Sequence, residues 1–534
     1  RYMLREVRHQ LYGCSHPDQK KHCVAGDGFV VPEAGPHFVW SKQPEVPPLC
    51  SDTGTFKRIG ITTDIVPTVY ANCPDNLFRA ISCRIAARVP DPVETATVDA
   101  LALLDFYLDH FYGRDVHLEP VSDADYLRGK PSSLLHKYKA SIESPTFETD
   151  PIDTNIVFVK SETSVKPPNG RPRAINNVPA KRIVLWGRWV QAMDEWVNHH
   201  AVFGWAKTWL PAQQGRWWHE HRGWNLSNGD YHSFDLTLEK NFAFEVEARV
   251  LKHFGVPSEL IHVIIASENR WQGVVRAKQF RPKERFVVTG RARQTGDPHT
   301  SFLNNFVAIF VHYWNFWSAI REANPSVKLS DLARDDLTEQ FAIMNNGDDA
   351  FLAYRGPVPP SKHLLLGLQW EAKNDGVFCR SKAVYLNEND CIFVRHPAEF
   401  LVRIGYSVHA KNQAEADNVL LSTIIGYSHF CGGLPIYPQI LRAMYKHIPY
   451  GLPSIHDIES YTVRNWFLNL PVPLLTMQPM RGPSLLCRES FETAFGIGPR
   501  EQLDIENAAD NLCCRYALLS TPFLREYLNA YCAS

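Results

Sequence analysis

"NNGDDAFLAY", residues 345–354, sets two adjacent carboxylates behind a glycine, with the apolar run "FAIM" before them and "AFLAY" after. Asn, Gly and Asp are the residues that hairpin turns use, because they tolerate φ > 0. The pattern therefore predicts two strands joined by a tight turn. Such a turn also points two carboxylates one way, and hard divalent cations take oxygen ligands. A Gly-Asp-Asp tripeptide arises by chance about one time in ten in a chain this long, so Asp348 and Asp349 gain meaning only from the rest of the sequence.

The chain has 534 residues, 45% hydrophobic and 12% aromatic, enough for a large core and more than one lobe. Lys plus Arg is 56 and Asp plus Glu 57, so any surface for a polyanion must be local rather than global. Twelve irregularly spaced cysteines and the lack of an opening signal peptide predict reduced thiols in a cytosolic setting. The start at Arg1 predicts a piece of a longer protein. "SFLNNFVAIFVHYWNFWSAI" is interrupted by three Asn and a His, which predicts a buried helix rather than a membrane span.

Residues 1–150 are rich in Pro, His and Cys, and only "VETATVDALALLDFYLDHFY" there reads as an amphipathic helix. Short β-like and helical runs alternate from 230 to 400, which predicts an α+β core, and 401–534 read mostly helical. "CSHPDQKKHC" offers Cys14, His16, His22 and Cys23 as zinc ligands by type, but the spacing is not that of a finger and a loop is the simpler reading.

Three further stretches carry chemistry. In "NLSNGDYHSFDLTLEKN", Asp230 and Asp235 stand five apart; if Asp230 closes a strand it faces the same edge as the 348 turn, and otherwise both decorate a helix N-terminus. "GRARQTGDPHTSFLNNFVAIF" is a Gly- and Pro-containing loop running into the apolar helix, with Gly296, Thr300 and Asn304 in it. Thr300 lies 70 residues after Asp230 and 48 before Asp348. From Lys160 to Arg188 come seven basic residues, Lys160, Lys166, Arg171, Arg173, Lys181, Arg182 and Arg188, against one acid, Glu162. Their interleaving with Pro and β-branched residues fits an extended arm that neutralises phosphate.

The ordered set resembles the RNA-dependent RNA polymerases of positive-strand RNA viruses, most closely the tombusvirus-like and nodavirus-like group. "DYHSFD" resembles that family's motif A, "TGDPHTSFLN" motif B and "NGDD" motif C; "FVKSE", "KPPNGRPRAI" and "GRW" are similar to motif F, "LQWEAK" to motif D and "AVYLNENDCIFV" to motif E. The likeness covers roughly residues 126–440, with Thr295 where the family usually has Ser and Val178 where it often has Arg. It implies a right-hand α+β fold: an N-terminal region over 1–125 bridging fingers and thumb, fingers over 126–229, a palm with an antiparallel sheet over 230–400 carrying a fingers insertion around 240–290, and a helical thumb over 401–534.

The same resemblance implies template-directed RNA synthesis. Asp230, Asp348 and Asp349 would hold two Mg²⁺, with Mn²⁺ able to substitute, and Lys373 would act as general acid. Arg173, Lys181 and Arg188 would hold the incoming triphosphate, Asp235, Thr300 and Asn304 would read the ribose, and Lys160, Lys166, Arg182 and Gly296 would also bind the nucleotide. The implied partners are RNA template and product, ribonucleoside triphosphates, other viral replication proteins and host membranes, in a membrane-associated complex of the host cytoplasm. A reverse transcriptase would share the acids, though it usually has an aromatic two before the first turn Asp, where Asn346 stands. A non-catalytic RNA-binding protein of the same fold is the other alternative, and no metal-binding position is substituted in its favour.

Overall fold

The four strands Asn225–Tyr231 (β1), Phe341–Asn346 (β2), Asp349–Tyr354 (β3) and Trp370–Ala372 (β4) form an antiparallel sheet in the order β2-β3-β1-β4. They belong to a computed structural model. It describes residues 56–73, 76–77, 79–81, 89–114, 116–128, 130, 132–143, 154–165, 172–238, 241–269, 271–275, 286–290, 293–333, 339–448 and 480–533, with short strands at 5–6, 24–25, 29–30 and 39–40. Cys14, His16, His22, Cys23, Lys166 and Arg171 lie outside the described residues. Helices and small sheets alternate along the chain, an α+β architecture.

Burial on both faces explains why the sequence around the turn is continuously apolar. Ala350, Leu352 and Tyr354 point into the large cluster built around helix α4 (Thr300–Ala323), whereas Phe351 and Ala353 meet Met344, Trp217 and Phe393 on the opposite side. Neighbouring side chains of a strand alternate faces, and a strand between two layers loses the polar half of that alternation. Every residue of α4 from Phe302 to Ser318 is buried. Its sequence is apolar all round because it is a core helix, with helices α1 (Glu94–Phe111) and α2 (Ala180–His199) supplying residues to the same cluster. Among the described residues no helix is long and apolar enough to cross a membrane.

On the other face of the sheet, helix α3 (Pro211–Glu220) lies against the hairpin Ser381–Tyr385/Cys391–Arg395. Gly215 permits that approach, since a Cβ there would sit 1.9 Å from the Cys391 carbonyl oxygen. Residues 241–290 leave the central sheet: two helices lead to strands Trp271–Val275 and Phe286–Gly290, which join Thr154–Val159 and Ala174–Asn177 in a second, six-stranded sheet. From residue 401 on, the described residues are mainly helical, and the short strand Tyr406–Ser407 pairs with Lys57–Arg58. That early segment continues to Thr62, bonded to 517 and 519, and to Thr68–Val69, paired with Thr163–Ser164. One stretch of chain thus links the C-terminal helices to the strands that carry the basic segment.

Tyr231, the last residue of β1, is tied into the core by a chain of buried hydrogen bonds. Its hydroxyl meets His312 Nε2 at 3.2 Å, His312 Nδ1 meets His363 Nε2 at 2.9 Å, and His363 Nδ1 meets Ser361 Oγ at 2.8 Å. A neutral imidazole offers one donor and one acceptor, so the chain is satisfied with both rings neutral, whereas protonating both would set two N–H donors against each other between the rings. Burial pushes His363 down to about 3, and burial followed by the neighbouring His363 holds His312 well below its ordinary value. Both folded values lie below the unfolded value near 6.5, so the stability this pair contributes is complete above that pH and lost as pH falls towards about 3. Each unit of depression is worth about 1.4 kcal/mol. His363→Gln keeps a donor and an acceptor without the titration, and its unfolding free energy is expected to fall less steeply than the parent's between pH 6.5 and 4. Equal slopes in denaturant titrations across that range would contradict the assignment.

Candidate active site

The central ladder places the acids side by side. Asp230 on β1 is directly opposite Asp349 on β3 and Glu371 on β4. Asn346 and Asp349 close the β2–β3 hairpin, leaving Gly347 and Asp348 as a two-residue loop. Gly347 has φ +70°, and a Cβ there would meet nothing within 4 Å, so the glycine answers a backbone demand and not a lack of space. Gly229 answers the opposite demand: a Cβ there would lie 2.0 Å from the Glu371 carbonyl oxygen, so glycine before Asp230 lets β4 close on β1.

Buried amides hold the loop. Asn305 of α4 accepts from Asn345 Nδ2 at 2.7 Å and from Gly347 N at 2.9 Å, while Asn345 exchanges backbone hydrogen bonds with Gly204 and Ala206. Asn346 Nδ2 donates to Cys379 Sγ at 3.3 Å. One residue earlier on α4, Asn304 donates from Nδ2 to Asp235 Oδ1 at 2.6 Å. Asp235 sits in the first turn of the short helix Phe234–Thr237, after Ser233 in the left-handed region at φ 51°. The strand and helix alternatives for 230–235 are therefore both realised, one for each acid.

The electrostatics are those of crowded like charges. Burial, then Asp348 and Asp230, push Asp349 up to about 7. Asp348 is also raised, by burial first and by Asp235 and Asp230, against its own backbone hydrogen bond and the charge of Arg173. Lys373 Nζ lies 2.9 Å from Asp230 Oδ1. Partial burial works against the lysine's charge, but Asp230, Glu371 and Asp349 together raise its pKa.

The loop before α4 is anchored at several points. Gly296 N donates to Asn176 O at 3.0 Å, and a Cβ on Gly296 would be 2.4 Å from that oxygen; Thr295 Oγ1 accepts from Asn176 N at 3.1 Å. The Thr300 hydroxyl donates to Gln294 O at 2.7 Å, closing its own loop. Arg182 corrects the expectation of a phosphate contact. Its side chain is fully buried and paired with Asp297 of this loop, which His299 also meets at 2.8 Å, so its charge serves an internal pair. Val178 is buried as well.

The other basic residues divide into two groups. Arg188 donates to Val121 O at 2.8 Å and pairs with Asp123 at 3.0 Å. Lys160 and Arg173 gather on Glu162, at 2.8 and 3.8 Å, and Arg173 is close enough for its charge to act on Asp348. Lys181 is half-buried at the start of α2. Sequence reasoning missed Asn305, Asn345 and Cys379. The signal for the first was the second Asn of "LNNF", a polar residue in a helix apolar all round, which must find a buried partner.

Among the described residues no three or more His, Cys, Asp or Glu side chains are gathered into a coordination shell. The donor chemistry nonetheless suits a divalent cation: three neighbouring carboxylates, two of them with raised pKa, carry more negative charge than Lys373 offsets. No protein-family model matches the chain, and no curated protein matches it in sequence.

Asn305→Ala strands the Gly347 N–H and one of the two Nδ2 hydrogens of Asn345, whose amide keeps its bond to Gly347 O at 3.1 Å, and groups buried without partners cost about 1–3 kcal/mol each. The expected outcome is a loss of about 2 kcal/mol or more in denaturant unfolding. A variant as stable as the parent would show that the hairpin does not depend on α4.

Proposed function

We propose that this chain is an RNA-directed RNA polymerase that extends RNA on an RNA template by two-metal phosphoryl transfer. The single observation that carries the reading is the cross-strand pairing of Asp230 with Asp349, beside Asp348 at the hairpin tip, which brings together acids 119 residues apart in sequence. Four features support it in the same neighbourhood: Lys373 on Asp230, Arg173 near Asp348, the Asn304–Asp235 pair, and a four-stranded antiparallel sheet under all of them. We read this sheet as the palm, residues 401–534 as the thumb, the second sheet with its helices as the fingers, and residues 57–72 as a bridge between fingers and thumb.

Asp230 and Asp348, with Asp349 assisting, would hold Mg²⁺ or Mn²⁺, which when bound supplies charge neutralisation at the attacking and leaving oxygens. The chain's own residues do the rest. Lys373, kept protonated by its acidic neighbours, is placed to give a proton to the pyrophosphate leaving group. Arg173 and Lys160 hold the triphosphate through charge-assisted hydrogen bonds. The Asn304 amide and Asp235 carboxylate offer a donor and an acceptor to a ribose 2′-hydroxyl, which needs both, and this pair favours ribonucleotides over the substrates of a reverse transcriptase. The partners would be RNA template and product, ribonucleoside triphosphates and other viral replication proteins, with host membranes approached from the cytoplasm.

Asp348→Ala removes a carboxylate that serves an ion and not the core. Nucleotide addition on a primed RNA template should fall by at least three orders of magnitude, with RNA binding near the parent's and, when divalent ions are chelated, an unfolding temperature no lower than the parent's. Mg²⁺-dependent synthesis retained in that variant would overturn the reading.

A further inference from the structure

The lysine and the thiol of the acid site ride on one irregular loop. Residues 373–380 follow β4 and lead into the strand Ser381–Tyr385, with Lys373 on Asp230 at one end and Cys379 against Asn346 at the other. Between them Asn374, Gly376, Cys379 and Arg380 all adopt positive φ, 51°, 72°, 48° and 63°. Only glycine enters that region freely, so contacts elsewhere must hold the chain on this path. Phe378 and Ser381 close the far end by exchanging backbone hydrogen bonds, each at 2.9 Å.

Asn228 holds the near end. It is buried on β1, two residues before Asp230, so both side chains leave the strand on the same face. Its carbonyl oxygen accepts from Lys373 N at 2.8 Å and from Asn374 N at 3.3 Å. Its side-chain amide donates to Asp375 Oδ1 at 2.7 Å and to Val377 O at 2.9 Å, and its Oδ1 accepts from Gly376 N at 3.0 Å. Both amide hydrogens and the amide oxygen are thus engaged by one loop, a set of bonds that neither Ser nor Asp can make. Lys373 needs such a frame. With 42% of its side chain exposed, its pairing with Asp230 is too weak to fix a long flexible chain by itself.

We propose that Asn228 is a positioning residue for Lys373: by clamping residues 373–377 to the strand that carries Asp230, it sets where the Lys373 ammonium stands relative to that carboxylate and to the leaving group. The inference rests on the polymerase reading for the leaving group, and on the hydrogen-bond network alone for the placement. One strand then carries an acid of the site and, one alternate position upstream, the support of the lysine that faces it. A misplacement of about 1 Å in a reacting group can cost about a hundredfold in rate, so a residue that touches no substrate can still govern turnover.

Limited acetylation of the full chain, read by peptide mass spectrometry, follows Lys373 without requiring catalysis; Lys362, paired with Glu322 at 2.6 Å, is the internal standard. Asn228→Asp sets an oxygen against Asp375 and Val377 O and should raise the labelling of Lys373 severalfold. Adding Asp375→Asn should bring it back, because the amide introduced at 375 donates to the carboxylate introduced at 228. On a primed RNA template Asn228→Asp should lower kcat about tenfold or more while KM for nucleotides stays within about twofold of the parent's. In a Lys373→Ala background the same change should add little, since residues that act as one unit are not additive. A residue that only satisfies the loop's polar groups gives the opposite pattern, with Lys373 labelled as in the parent and losses that add. Either of those results in a folded chain overturns the proposal. Asp375→Ala, at an exposed position on the same bond, introduces no charge and is read in the same way if Asn228→Asp does not fold. A parent chain that makes no RNA but shows the expected labelling pattern retires the polymerase reading and keeps the placement of Lys373. Parental kcat in an Asn228→Asp chain whose labelling has risen retires the positioning role and keeps the reading.

Discussion

Asp230, Asp348 and Asp349 are crowded onto adjacent positions of one antiparallel ladder, and the surrounding structure is organised to keep them there. Residues opposite each other in such a ladder lie about 5 Å apart, and the partial burial of Asp230 and Asp349 reduces the water that would screen them. Burial and the resulting repulsion together lift Asp349 to about 7. Nothing in the carboxylates themselves opposes their separation. The opposition comes from the Lys373 and Arg173 charges and, beyond them, from neutral groups: the Asn305–Asn345–Gly347 hydrogen bonds, the Asn346–Cys379 contact, and the backbone bonds of β2 to residues 204 and 206. Helix α4 serves both acidic elements from successive residues, Asn304 reaching Asp235 and Asn305 reaching the hairpin. A core helix fixed by the burial of Phe302 to Ser318 thus sets the spacing of the site.

Charges outside the site follow a different rule. Arg182 with Asp297, and Arg293 with Glu247, are ion pairs with no exposed side-chain surface, and they hold the loop that leads into α4. Removing one partner of such a pair leaves a buried charge uncompensated, which costs far more than the intact pair contributes. The exposed cations Lys160 and Arg173 instead share one half-buried carboxylate, Glu162. Burial, not the sign of charge, separates the two kinds of pair.

That distinction marks the limit of what the sequence disclosed. The hairpin around Gly347 was legible because turn chemistry and apolar runs are local signals, and the buried character of α4 because three Asn and a His exclude a lipid environment. The helix at Glu94–Phe111 and the α+β alternation were legible from periodicity. Arg182 was misread because a run of basic residues gives no sign of which one turns inward on its helix. Asn305 and Cys379 went unseen because their roles depend on contacts with residues 33 to 42 positions away, and for Cys379 on a left-handed backbone conformation that Cys does not advertise.

The central claim is that these carboxylates are held together at an energetic loss that a divalent cation reverses. Thermal unfolding of the parent and of Asp349→Asn, at a pH above 7 and with and without Mn²⁺, measures it most directly, because an ion that binds only the folded chain raises its stability. The account predicts that Asp349→Asn unfolds at a higher temperature than the parent when divalent ions are chelated, and that Mn²⁺ raises the parent's unfolding temperature much more than the variant's. A variant no more stable than the parent under chelation, with the same rise on adding Mn²⁺, would contradict it.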